Sequence, residues 1–191
     1  MDTSQYPQQT IDSIAEHIEE ILRLLGEDPQ REGLVKTPVR AAKALWFATQ
    51  GYRGTEEETV GDALFTAPDS GMVTVKDIEF YSFCEHHILP FFGRVSVGYI
   101  PDGKIIGLSK VARLVNLYAR RLQTQERFTR QVCLAVQRAV GAKGVIVKCS
   151  GQHLCMKMRG VEKQDSSTTT VSVCGVFETD GSLKREFFDL L

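Results

Sequence analysis

The sequence predicts an α+β fold: an antiparallel sheet of hairpin-connected strands with paired helices inserted between them. Three observations lead there. Apolar residues in the first third recur with the helical period of about 3.6 residues. From Gly71 the period drops to two. A long helical stretch, 109–140, then separates strand-like runs, whereas a parallel βαβ sheet would alternate strand and helix one by one.

Each element follows from its residues. "TIDSIAEHIEEILRLLG" puts Ile11, Ile14, Ile18, Ile21, Leu22 and Leu25 on one stripe, with Thr10 as the expected N-cap and Gly26 as the expected stop. His17 falls on the polar side and is read as solvated. "KTPVRAAKALWFATQGY" repeats the logic, with Thr37 as cap, Pro38 in the first turn and Gly51 at the end. Residues 52–70 are rich in Gly and Glu and read as a connector with one short helix. "MVTVKDIEFYSF" alternates at Val73 and Val75, then shifts before Ile78 and Phe80. "GRVSVGYIPDGKIIG" reads as a hairpin closed by a Pro-Asp-Gly turn. The helical stretch that follows is expected to break near 123–125. "GVIVKCSG", "QHLCMKMRG" and "TTTVSVCGVF" read as strands, and "SLKREFFDLL" as a short amphipathic helix. The division expected is a helical region over 1–70 and a catalytic domain over 71–191.

Composition narrows the function classes. With 42% hydrophobic and 25% charged residues, the 191-residue chain can bury a core and suits one domain with a helical appendage. A formal charge of −1 gives no global field for nucleic acid or an anionic membrane, so an anionic ligand needs a local basic cluster. No apolar run reaches the roughly 18 residues of a membrane span. The polar start "MDTSQYPQQT" lacks a signal pattern, so a cytoplasmic protein is expected. Five cysteines, an odd number, argue against a disulfide framework. Cys133, Cys149 and Cys174 are read as small core residues. Cys84 and Cys155 differ because each lies close to histidine.

"FYSFCEHHILPFFG" crowds Cys84, Glu85, His86 and His87 between apolar residues. Cys84 and His87 have Cys-x-x-His spacing, and Cys155 in "QHLCMKM" is the natural third ligand. Thiolate with imidazole favours zinc, and three protein ligands leave a position for water, the pattern of a catalytic rather than a structural site. His153 lies two residues before Cys155, so on a strand both would face one side, with an imidazole beside the metal. On spacing alone, buried packing cysteines are the competing reading. "GLSKVAR" puts Ser109, Lys110 and Arg113 at a helix start, where free N–H groups favour anions, and Arg159 follows the Cys155 segment. A solvated helix face is the alternative there. In "TQER", Gln125 and Glu126 open a helix; an amide and a carboxylate can pair with a flat donor edge such as that of guanine, although most such pairs are surface residues.

Taken in order along the chain, "CEHHILPFFG", "YIPDGKIIGLSK", "YARRLQTQER" and "HLCMKMRG" resemble the GTP cyclohydrolase I family, from about Thr37 to the C-terminus. The resemblance implies zinc at Cys84, His87 and Cys155. It implies catalysis by His86, His153 and Ser109, with His153 as leading proton donor to the purine. Gln125 and Glu126 would hold guanine. Lys110, Arg113 and Arg159 would hold the triphosphate of GTP, joined by Arg40 from a neighbouring subunit. The implied reaction yields 7,8-dihydroneopterin triphosphate and formate, the entry to tetrahydrofolate or tetrahydrobiopterin. The implied fold is the tunnelling fold, an antiparallel sheet with two long antiparallel helices on one face. Such subunits would join into rings that stack as a homodecamer, with active sites at subunit contacts. The related nitrile reductase of queuosine synthesis is disfavoured because its Glu-Ser-Lys-Ser segment is replaced by "GLSK". A zinc-stabilised binding module would need a fourth protein ligand, for which the sequence offers no candidate in matching context.

Overall fold

The computed structural model describes residues 6–68 and 71–191 and divides into two compact units, Met1–Gln50 and Gly51–Leu191. Residues 1–5 of the polar N-terminus lie outside the described residues. So do residues 69 and 70, beside the expected division between helical region and catalytic domain. No helix among the described residues is long and apolar enough to cross a membrane.

The first unit holds α1 (Gln8–Leu24) and α2 (Thr37–Ala48), packed through Ile11, Ala15 and Ala42, with Tyr6, Ile14, Ile18 and Trp46 around them. The helical stripe is present, but its ends differ from expectation. α1 begins after Pro7, so Thr10 sits inside the first turn and does not cap. Thr37 is already helical, and its hydroxyl donates back to the Gly33 carbonyl instead of accepting an N–H. α2 stops at Ala48, short of Gly51. Gly26, at φ +88°, does end the first helix.

The second unit contains α3 (Glu56–Val60), β1 (Leu64–Thr66), β2 (Val73–Cys84), β3 (Pro90–Ile100) and β4 (Lys104–Ile106), followed by α4 (Leu108–Ala119), β5 (Leu122–Gln123) and α5 (Gln125–Val140). It closes with β6 (Gly144–His153), α6 (Leu154–Lys157), β7 (Thr168–Gly175), α7 (Val176–Thr179) and α8 (Gly181–Asp189). The main sheet has the order β5-β2-β3-β6-β7, antiparallel except for the short β2–β5 pairing. The expected shift in β2 is a register irregularity between Val75 and Ile78, with Asp77 at φ +55°.

α4 and α5 cover one face of the sheet. Val111, Leu114, Val115, Phe128, Val132 and Val136 recur three or four residues apart and meet the inward row Phe80, Val95, Val97, Val145 and Val147. The fold is therefore α+β, with the helix-covered antiparallel sheet of the tunnelling fold. Cys133, Cys149 and Cys174 are all buried, as expected.

Two expectations about strands need correction. β4 does not form a hairpin with β3; it pairs with β1 in a separate two-stranded sheet, Leu64 opposite Ile106. Pro101 follows β3 directly and has no N–H to extend a ladder. Cys155 is not on a strand: β6 ends at His153 and Cys155 lies in the helical turn α6.

Candidate active site

The site forms where β2 and β6 end and α5 begins. The β2–β3 connection is a tight loop closed on Cys84, whose N–H donates to the Leu89 carbonyl at 2.9 Å and whose carbonyl accepts from Ile88 at 2.8 Å. Ile88 is held at φ +54°, a sparsely populated region for a β-branched residue. This loop carries Glu85, His86 and His87. Cys84 Sγ lies 3.7 Å from His87 Nδ1. Cys155 completes a group in which one ligand atom from each residue lies within 4.8 Å of the others. Zinc–sulfur and zinc–nitrogen bonds of about 2.3 and 2.0 Å at a tetrahedral angle set an S···N edge of about 3.5 Å. Two sulfurs and one imidazole at these spacings therefore fit a single ion. Burial, and then the adjacent Cys84, push the Cys155 thiol up. A cation supplied there would favour the Cys155 thiolate.

His153 reaches the site by a route the sequence did not reveal. It is the last residue of β6 and pairs with Phe91 of β3. The two rings stack with centroids 4.6 Å apart and planes 4° apart. His153 Nε2 lies 2.9 Å from Gln125 Oε1. Burial lowers the His153 pKa, while the Glu126 charge opposes that shift.

Gln125 differs most from its expected role. It is 1% exposed, and its amide turns into the fold rather than toward a ligand. Its Nε2 donates to the carbonyls of Cys149 and Thr168 and to Thr170 Oγ1. Glu126, the next residue in the first turn of α5, is exposed.

His86 is exposed, its Nδ1 3.9 Å from Cys84 Sγ and its Nε2 3.8 Å from Glu85 Oε1. The Glu85 carboxylate also binds Arg127, whose guanidinium bonds Gln123 Oε1 and the Leu122 carbonyl. The 85–89 loop is thus strapped to the start of α5. Arg127 carries no signal in the sequence, and Glu85 only its place in "CEHH".

The basic residues are not all gathered here. The charge of Arg159 favours the Cys155 thiolate, weakly against burial and Cys84. Ser109, Lys110 and Arg113 occupy the first turns of α4, whose N-cap Gly107 bonds the Ala63 carbonyl. The other end of this 12-residue helix leads into β5, which pairs with Phe83 and Cys84. Along α4, Ser109 and Lys110 therefore stand about 14–15 Å, and Arg113 about 9 Å, from the end that leads to the cluster. Arg40 is exposed on α2 of the first unit.

Comparison with known proteins places these features in context. A family model described as GTP cyclohydrolase I matches residues 14–191. The chain is 54% identical over 179 residues to a GTP cyclohydrolase 1 2 of Pseudomonas aeruginosa, covering 94% of this chain and 99% of that protein. It is 49% identical over 183 residues to a GTP cyclohydrolase 1 of Dictyostelium discoideum, covering 96% of this chain and 79% of the relative. Among solved structures, an archaeosine synthase QueF-Like in the apo form aligns with TM-score 0.45 and 21% identity, covering 56% of this chain and 96% of that one.

Proposed function

This chain belongs to the GTP cyclohydrolase I family, and from that premise we propose that it converts GTP and water to 7,8-dihydroneopterin triphosphate and formate, with zinc as its metal. The observation that carries the reading is the Cys84–His87–Cys155 group, which offers two thiols and an imidazole within 4.8 Å of one another. Bound there, zinc supplies the Lewis acidity that makes water nucleophilic near neutral pH. Cys84, His87 and Cys155 are the three residues that would hold it.

The chain's own residues bind the purine and move protons. The exposed Glu126 carboxylate accepts from the N1–H and 2-amino group of guanine, two donors that adenine lacks at those positions. His153 gives a proton to N7 as carbon 8 takes up water, and the imidazole ring opens to a formamide. A second water releases formate. The ribose then opens, rearranges to a ketone at its second carbon and closes on the freed amine, losing water to form the pterin. His86 and Ser109 serve the later proton transfers.

Lys110, Arg113 and Arg159 hold the triphosphate, joined by Arg40 from a neighbouring subunit. Ser109 and Lys110 open α4 at the end away from the cluster, with Arg113 midway along it, an arrangement that favours a second copy completing the active site with its own α4 N-terminal half. A homodecamer of two stacked rings meets this need. It also covers the exposed sheet edges at β5 and β7. The cytoplasm, where thiols stay reduced, is the location that suits the site. The product would feed tetrahydrofolate or tetrahydrobiopterin synthesis.

The test is incubation of the purified protein with GTP, following formate and pterin fluorescence. Both should appear together, vanish with a chelator and return with added zinc. Release of inorganic phosphate without formate would end the proposal.

A further inference from the structure

The hydrogen bonds around Gln125 form a directed circuit. Thr129 Oγ1 donates to the Gln125 backbone carbonyl at 2.7 Å. The Thr129 proton is thereby committed, so in the 2.6 Å contact between Thr129 Oγ1 and Thr170 Oγ1 the donor is Thr170. Thr170 then accepts from Gln125 Nε2 at 3.2 Å. Two backbone carbonyls, of Cys149 and Thr168, also face that nitrogen. Carbonyls only accept, so the amide has one orientation: nitrogen toward the sheet, Oε1 toward His153. The geometry points to Gln125 as a positioning residue that fixes the proton of His153 on Nε2 and leaves Nδ1 as the nitrogen that serves the substrate.

The ring is held in two ways. Phe91 sets its plane by stacking at 4°, and Gln125 Oε1 sets its rotation through the 2.9 Å bond. When His153 gives up a proton, it leaves from Nδ1. The bonding pair stays there as a lone pair, and Nε2–H remains on the amide oxygen. A ring flipped by 180° about χ2 would lose that bond and turn the wrong nitrogen to the purine. This inference rests on the reading of His153 as proton carrier; the Nε2–H assignment itself does not.

Two measurements on the metal-loaded full-length protein separate the claims. Solid-state 15N NMR of ring-labelled histidine, with the His153 signal assigned by its loss in His153→Gln, should show the Nε2–H tautomer when the ring is neutral. A neutral Nδ1–H ring overturns the inference whether or not GTP turns over. In kinetics, Gln125→Met should lower kcat for formate release by about 100-fold, the scale of one misplaced proton-transfer group. KM for GTP should change by less than about threefold. Gln125→Glu, which in its protonated form keeps a donor toward the Cys149 and Thr168 carbonyls and an acceptor toward His153, should recover at least about tenfold of that loss. A raised KM with unchanged kcat would make Gln125 a ligand for guanine and overturn positioning, as would wild-type kinetics in both variants. An Nε2–H tautomer in a wild-type protein that releases no formate would instead overturn the proposed reaction and leave the tautomer assignment standing.

Discussion

Gly151 lies beneath the side chain of Gln125: a Cβ at position 151 would sit 2.5 Å from Gln125 Oε1 and 3.5 Å from the Phe80 ring. The oxygen it would strike is the one that meets His153. A glycine inside a strand marks a close approach, and here the approaching group is the amide that holds the imidazole.

Gly151→Ala should therefore act through that oxygen. Overpacking of this kind costs about 1–3 kcal/mol, a fall in Tm of roughly 2–4 °C per kcal/mol for a chain of this size. Formate release should slow while zinc content stays full. Thermal melts, metal analysis and single-turnover assays read the three effects. A variant with wild-type Tm and rate would show that the amide relaxes without consequence.

Glu126→Ala should weaken GTP binding and blunt the preference for guanine. A hydrogen bond to a charged group contributes about 1.5–3 kcal/mol, so KM for GTP should rise roughly 10- to 100-fold. Competition between GTP and ATP is the measurement. Discrimination unchanged from wild type would remove Glu126 from the guanine edge.

The separation between the cluster and the α4 N-terminus predicts complementation. Cys155→Ala and Arg113→Ala should each be nearly inactive alone. Co-expressed, the two chains should regain activity, because an Arg113→Ala chain keeps its metal group and a Cys155→Ala chain can lend its intact Arg113. With random mixing, about a quarter of the sites receive both good halves. Absence of recovery in a verified mixed assembly would place both halves in one chain.

Glu56 predicts a pH dependence of stability. Its pKa lies below the ordinary 4.5, first because Arg138 bonds its carboxylate; burial opposes this, and the Tyr118 hydroxyl adds to the lowering. The folded state therefore binds that proton less readily than the unfolded chain. The stabilisation is full above the unfolded value and is lost as pH falls through the folded one. Glu56→Gln should cost about 1 kcal/mol at pH 7, after allowance for partial solvent screening. The gap from wild type should narrow as pH falls below the ordinary 4.5. Chemical denaturation across pH 3–7 checks this, and a gap that widens in acid would reverse the sign.

Much of this architecture was legible locally. The change from helical to alternating period located the sheet, and the shift between Val75 and Ile78 was visible before the register was known. The break between the two long helices showed because Gln123 and Thr124 interrupt the apolar stripe, and Thr124 does cap α5 by accepting from Arg127 N–H. Non-local or very short features were hidden. β4 finds its partner about 40 residues upstream in β1, which no window pattern reports. α6 spans only Leu154–Lys157, one turn, too short for a periodic signal, so Cys155 looked like a continuation of its strand. The inward turn of Gln125 depends on carbonyls from Cys149 and Thr168, contributed by two other strands.

The five sulfurs occupy unequal surroundings. Cys133, Cys149, Cys174 and Cys84 are buried, and only Cys155 is partly open to solvent. An alkylating reagent added to the folded protein accordingly meets one accessible target, and that target is shielded whenever an ion is coordinated there. Label incorporated per chain then becomes an inverse gauge of occupancy, readable by mass without any substrate.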